Sequence, residues 1–292
     1  MPQPESESPR QPLGWYLAWT GATAFAFFGV WHALAIGLGY DSHAYWQAVQ
    51  DMNHLYGSPA LSRDAYLYSP LFAQVLWPLG HLAWPVFWIF WSLMNAVVFV
   101  WLLRPLPSRW FIPAFVATLP EIVTGNIYAL MAAAVVLGAT RGPPWVFLGL
   151  TKITSGGIGL VWLSLTRQWR ALLWGVVSAV GVLAVSVAVG PGQWRDWIEF
   201  LLHGSAPIAN SISSPILTVV LVGSGLASVA VAAVTRRPWL LAVAVILVSP
   251  TIGLNTLTLL AAVPRLSGVS VQGRAGQDGA DPRPVATKAA WR

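Results

Sequence analysis

The sequence predicts an all-α integral membrane protein: a polytopic bundle of about ten membrane-entering segments, with short broken helices around an extracytoplasmic cavity. Three observations carry this. First, 56% of the 292 residues are hydrophobic and only 9% are charged, against roughly 25% charged in an ordinary soluble domain. Second, the apolar residues fall into stretches of membrane-helix length or somewhat shorter, separated by polar breaks. Third, the cations are distributed asymmetrically about those stretches. A water-soluble enzyme or a nucleic-acid-binding protein is excluded despite the net charge of +6, because so few charges cannot cover a globule of this size. The 18 Trp suit membrane interfaces. With no Cys, thiol catalysis, disulfides and thiolate metal sites are excluded.

Residues 1–12 are polar and Pro-rich and read as a disordered cytoplasmic arm. Leu13 to Gly39 is apolar and long enough to span, since a bilayer needs about 20 residues. Its length and weak basic flank argue against a cleaved signal peptide. Residues 40–69 form a polar loop. Apolar stretches follow at 70–82, 84–103, 110–123, 126–140, 143–151, 153–166, 171–189, 216–234, 238–250 and 253–264. Several are too short to cross alone at about 1.5 Å per residue. They pair across polar breaks at Thr124-Gly125-Asn126, at Lys152 to Gly157, and at Ser249-Pro250-Thr251. The polytopic domain runs over 13–264, and 265–292 reads as a disordered basic cytoplasmic tail.

Charge decides whether each pair is a hairpin or one long helix. As hairpins, with the N-terminus inside, 13 of the 16 Lys and Arg lie inside and only Arg63, Lys152 and Arg195 outside. As single spans, the split becomes 7 inside and 8 outside, with Lys152 stranded in the membrane. The positive-inside rule favours the hairpins. The protein is therefore expected in the plasma membrane, multi-pass, with both termini cytoplasmic. Loops 40–69 and 190–215 are then extracytoplasmic. Short broken helices at membrane depth persist only where they are buried or line a wet cavity, hence the expected outer cavity.

Asp41, just after the first span, stands at the mouth of this cavity and suits a general base; an Asp after a helix is also a common turn residue. Lys152 lies in an apolar hairpin, where a cation needs a partner or a task. Facing outward, it could bind a lipid phosphate, or it could snorkel. Glu121, one turn before Asn126, is a second cavity carboxylate or an interfacial acid. Tyr45, Trp46, Tyr66, Tyr68 and Trp194 could stack on sugars or form an interfacial belt. His43, His54 and His203 lack metal-ligand spacing. Trp194, Trp197, Ile198 and Leu201 share a helical face, which predicts an amphipathic helix on the outer surface.

These residues resemble glycosyltransferase family 87, of the GT-C class of integral-membrane glycosyltransferases. The resemblance begins at Asp41 and Tyr45 and continues through Gly57, Tyr68-Ser69-Pro70-Leu71-Phe72-Ala73, Pro78, Trp91 and Asn95. Gly125-Asn126 stands where the family has a Gly-Gln-x-Asn apex. Gly149, Lys152 and Thr154, closed by Arg167-Gln168-Trp169-Arg170, match a Lys-containing hairpin ending in basic residues and Trp. Asn210-Ser211 is similar to an Asn-Gln-Ser loop, and Ser249-Pro250-Thr251 to a Ser-Pro stretch. The chain departs from the pattern in lacking the apex Gln, in Ser155 for a Pro, and in Gly253, Asn255 and Thr256 where relatives carry Trp and His.

The resemblance implies a polyprenyl-phosphate-mannose-dependent mannosyltransferase of actinobacterial type. Asp41 would be the base, deprotonating an acceptor hydroxyl that displaces the lipid phosphate with inversion. Lys152 would stabilise that phosphate. Tyr45, Tyr68, Glu121, Asn126, Lys152, Asn210 and Asn255 would be the substrate-binding set. The implied partners are the lipid-linked donor, a glycolipid or polysaccharide acceptor and the bilayer, with no nucleic acid, no metal and no cofactor beyond the donor as co-substrate. Two other readings stay open: a lipid or glycolipid transporter, and a catalytically degenerate relative that scaffolds envelope assembly.

Overall fold

The computed structural model describes residues 13–59, 62–204, 215–249 and 253–269. The expected arm 1–12, Asn210, Pro250-Thr251 and most of the expected tail lie outside the described residues. What is described is helical, with no strand among these residues. The helices are α1 (Leu13–Ile36), α2 (Tyr40–Gln50), α3 (Pro70–Gly80), α4 (Trp84–Leu103), α5 (Ser108–Val116), α6 (Leu119–Thr124) and α7 (Tyr128–Gly138). Then come α8 (Pro144–Thr151), α9 (Ile153–Leu165), α10 (Trp169–Val189) and α11 (Pro191–Glu199), the last continued by a π-helical turn, Phe200–Gly204. After α12 (Pro215–Thr235) and α13 (Leu240–Leu247), a 3-10 helix (Leu254–Ala262) leads into the one-turn α14 (Val263–Leu266).

Among the described residues, four helical runs are long and apolar enough to cross a membrane: Leu13–Gln50, Trp84–Leu103, Trp169–Val189 and Ile216–Thr235. The shorter helices follow the shorter apolar stretches, and proline explains many of their starts. Pro70, Pro85, Pro120, Pro144 and Pro191 fall at the first or second helical position, where a missing N–H costs nothing. The 110–123 stretch is two helices, broken at Ala117-Thr118.

One expectation needs correction. Residues 40–69 are not simply a loop, because their first part is helix α2, packed against α3 and α4. Gly37 and Gly39 make this possible. Both have left-handed φ, 111° and 67°, so the chain leaves α1 and at once starts a second helix. Its first turn carries Asp41, fixed by structure where a solvated turn residue would be loose. The last helical turn, α14, also runs past the expected end of the membrane domain at residue 264. Leu266 is buried, and Arg265 donates to the Trp101 carbonyl at 2.5 Å while lying over its ring.

The centre of the bundle is α7, which packs against α4, α8 and the 3-10 helix. Small residues let these backbones close: Ala129, Ala132, Ala134 and Gly138 on α7 are buried. Where α8 meets α9, a Cβ on Gly156 would fall 2.3 Å from the Gly149 Cα.

Candidate active site

The breaks between the short helices place the polar residues. Gly125 ends α6 with φ 72°, the left-handed cap that turns the chain toward α7. It is also pinned from two sides. Trp91 Nε1 donates to its carbonyl at 2.7 Å, and a Cβ here would meet Ser42 Oγ at 2.4 Å. The apex thus rests on the start of α2, which brings Asn126 beside Asp41.

The side chains of Asn126 and Thr124 face the Asp41 carboxylate. The orientation of Asn126 is dictated locally. Its Oδ1 accepts from the Ile127 N–H at 2.7 Å, so its NH₂ is the end left for Asp41. Thr124 Oγ1 accepts from Asn255 Nδ2 at 3.3 Å and donates to the Glu121 carbonyl at 3.4 Å, so it is held in place beside the carboxylate. Asp41, Thr124, Asn126, Tyr128, Asn255 and Thr256 line one cavity of about 430 Å³, completed by His32, Tyr40 and the apolar side of α1. Below it, the cleft between α1 and the 3-10 helix continues as a larger apolar cavity of about 570 Å³. Phe25 belongs to both walls.

Lys152 sits in an extended link between α8 and α9. It lies behind the cavity wall, with Nζ donating to Tyr128 Oη at 2.6 Å and placed over the same ring, 4.2 Å from its centroid. Thr256 Oγ1 lies 3.0 Å from that phenol oxygen. A cation donating to a phenol makes the phenol's own O–H a stronger donor. Lys152 and Asp41 are within electrostatic reach of each other. One hydrogen bond therefore separates Lys152 from the position where a phosphate contact was expected.

Glu121 is likewise set back from the cavity. It is fully buried, and Oε1 accepts from the Tyr128 N–H at 2.9 Å, a carboxylate at the amino end of α7. The expected aromatic pair also has another place. Tyr45 is 1% exposed, its ring packed edge-on to Phe72 and Trp91. Its hydroxyl meets that of Tyr68 at 3.2 Å. The Tyr45 ring is closed off from any sugar, while Tyr68 is half-buried. Trp194 is buried too, with Nε1 on Ser186 Oγ at 3.0 Å, so α11 turns its first Trp inward instead of laying the whole apolar stripe on a surface. His43 lies 2.5 Å from Asp64.

Sequence reasoning does not place Tyr128, Thr124 or Thr256 in the site, naming Thr124 only in a polar break and Thr256 only as a departure from the family pattern. Their signal was position: each lies within two residues of a polar apex residue already singled out, but their side chains are unremarkable in a helix.

The fold and site define an integral membrane protein with a carboxylate-bearing polar cavity above an apolar cleft. The model of glycosyltransferase family 87 matches residues 66–270, and the chain belongs to that family. It is a membrane glycosyltransferase. Asp41 and Tyr45 lie before the matched stretch. No curated protein and no solved structure matches the chain.

Proposed function

We propose that the protein transfers a hexose, mannose by the resemblance of its motifs, from a polyprenyl-phosphate sugar to an extracytoplasmic glycolipid or polysaccharide acceptor, with inversion. The observation that carries this is the two-part cleft. Its polar end holds a carboxylate among the side chains of Thr124, Asn126 and Asn255, and its apolar end suits the tail of an amphiphile. Asp41 takes the proton of the acceptor hydroxyl. That oxygen bonds to the anomeric carbon while the carbon–phosphate oxygen bond breaks, and the electron pair leaves with the lipid phosphate. Tyr128, polarised by Lys152, donates to the departing phosphate oxygen, a contact that strengthens as charge develops. Asn255 and Thr256 stand where relatives carry Trp and His, and they offer the sugar an amide and a hydroxyl.

The test is transfer from labelled polyprenyl-phosphate mannose to membrane acceptors. Asp41→Asn keeps a hydrogen-bond acceptor but cannot take a proton. It should retain expression and donor binding and lose transfer by about 10²-fold or more. Wild-type transfer in Asp41→Asn overturns the assignment of the base. Movement of the lipid without transfer in the parent favours the transporter, and neither activity favours the degenerate relative. The topology has its own test, made clean by the absence of native Cys. Ser58→Cys should react with an impermeant thiol reagent in intact cells and Ser108→Cys should not. Labelling of the second alone reverses the orientation.

A further inference from the structure

At the opposite end of α7 and α9 from Tyr128 and Lys152 lies a second cavity, of about 550 Å³, between the 139–143 turn and the start of α10. Arg141, Arg167 and Arg170 line it together with Trp169 and Trp174. None of the described acidic residues, Asp41, Asp51, Asp64, Glu121, Asp196 and Glu199, lines this cavity. Among the described residues the two ion pairs are His43–Asp64 and His54–Asp51, so no described carboxylate answers the three arginines.

The cavity is built into the fold. A Cβ on Gly142 would fall 1.8 Å from the Ala171 carbonyl oxygen, so the turn is clamped on the α10 backbone. Gln168 Nε2 and Trp162 Nε1 both donate to the Ala139 carbonyl, at 3.1 and 2.8 Å. Arg167 is held at φ 55°, a conformation that side chains other than Gly seldom adopt. These restraints keep three like charges around one space, an arrangement that favours an anion between them.

The surroundings identify the anion's carrier. α10 is one of the span-length helices, and this is its end. Trp169 and Trp174 are 61% and 55% exposed, as Trp is at the head-group layer. Leu173, Val176, Val177 and Val180 continue the exposed face along the helix. We infer that this cavity binds the head group of an anionic phospholipid: the guanidinium groups take its phosphate, and the acyl chains lie along α10. The site is separate from the sugar-transfer cavity and does not depend on the donor assigned there. Positive-inside topology alone needs the charges but not the clamped cavity.

The experiment uses the full chain in a neutral detergent. Thermal unfolding is followed while phosphatidylglycerol, phosphatidylcholine or inorganic phosphate is titrated in, for the parent and for the double variant Arg141→Gln, Arg170→Gln. Phosphatidylglycerol should raise the parent's Tm saturably, phosphatidylcholine and phosphate should not, and the double variant should need roughly tenfold more lipid or beyond. An equal response of parent and variant overturns the site, as does equal potency of phosphatidylcholine. Stabilisation of the parent by inorganic phosphate alone overturns the lipid carrier. If the double variant does not fold, Arg141→Gln alone gives the same comparison, because Arg141 lies in the exposed turn.

Discussion

α7 and α10 are both apolar helices in the same bundle, yet they meet opposite surroundings. Seven of the 11 residues of α7 are buried, while α10 buries only Ser186 in 21 residues. α10 faces lipid, where its side chains need only be apolar. α7 faces other helices, so its residues must also be small where backbones close and polar where the helix begins. Lipid tails are as apolar as the side chains, so transfer from water does not hold α7 in place; close packing and hydrogen bonds do. The long helices thus make the protein a membrane protein, and the short ones make it a glycosyltransferase of a particular shape.

Substitutions that add the same bulk to the two kinds of helix separate them most sharply. Gly156→Leu drives a side chain into the Gly149 backbone, with a Cβ approach of 2.3 Å before the rest is added. Loss of folded protein is expected, measured as the monodisperse fraction in detergent. Gly181 on α10 has nothing within 4 Å of a new Cβ, so Gly181→Leu should change stability by no more than about 0.5 kcal/mol. Equal loss from both would mean that another surface covers α10.

Smaller effects are expected inside the site. Tyr128→Phe keeps the ring and its packing but removes the hydroxyl that accepts from Lys152. Transfer should fall by roughly 10²-fold, as when one transition-state donor is lost. Lys152→Gln leaves the hydroxyl but removes the charge that polarises it and that Asp41 also feels, so donor binding and transfer should fall by roughly tenfold, within the range of a single charge-assisted contact. The reverse order would show that Lys152 itself reaches the ligand. Least affected should be Val180→Ala, on the exposed face of α10, within about 0.5 kcal/mol of the parent in thermal stability.

Much of this architecture was legible before any coordinates. The helices track the apolar stretches because hydropathy and Pro placement are local properties. Asp41, Asn126 and Asn255 were singled out from three distant places, and the fold brings them to one cavity. The misreadings share a cause. The sequence offers Tyr45 as ligand-stacking or interfacial because aromatic rings suit every environment in a membrane protein. Only the fold shows that Phe72 and Trp91 enclose Tyr45. Glu121 looked like a cavity acid because nothing local says that its oxygen caps a helix starting seven residues on. Lys152 was placed on the right hairpin, but its partner, Tyr128, comes from another helix, and side-chain partnership across helices has no period to read.

With Asp41 as the proposed base, the shortness of α7, α8 and α9 bears on the depth of the reaction. With 13 residues, α9 extends about 20 Å, against a hydrocarbon layer of about 30 Å. With the arginine end of these helices at one head-group layer, the Asp41 end stops about 10 Å short of the other. On the proposed transfer, an acceptor is drawn down from the water to meet its donor, over a distance that depends on the lipid around the protein. Hydrophobic mismatch, usually a matter of sorting and tilt, becomes a term in turnover: a bilayer with shorter acyl chains brings the carboxylate closer to the aqueous phase, and a thicker one buries it.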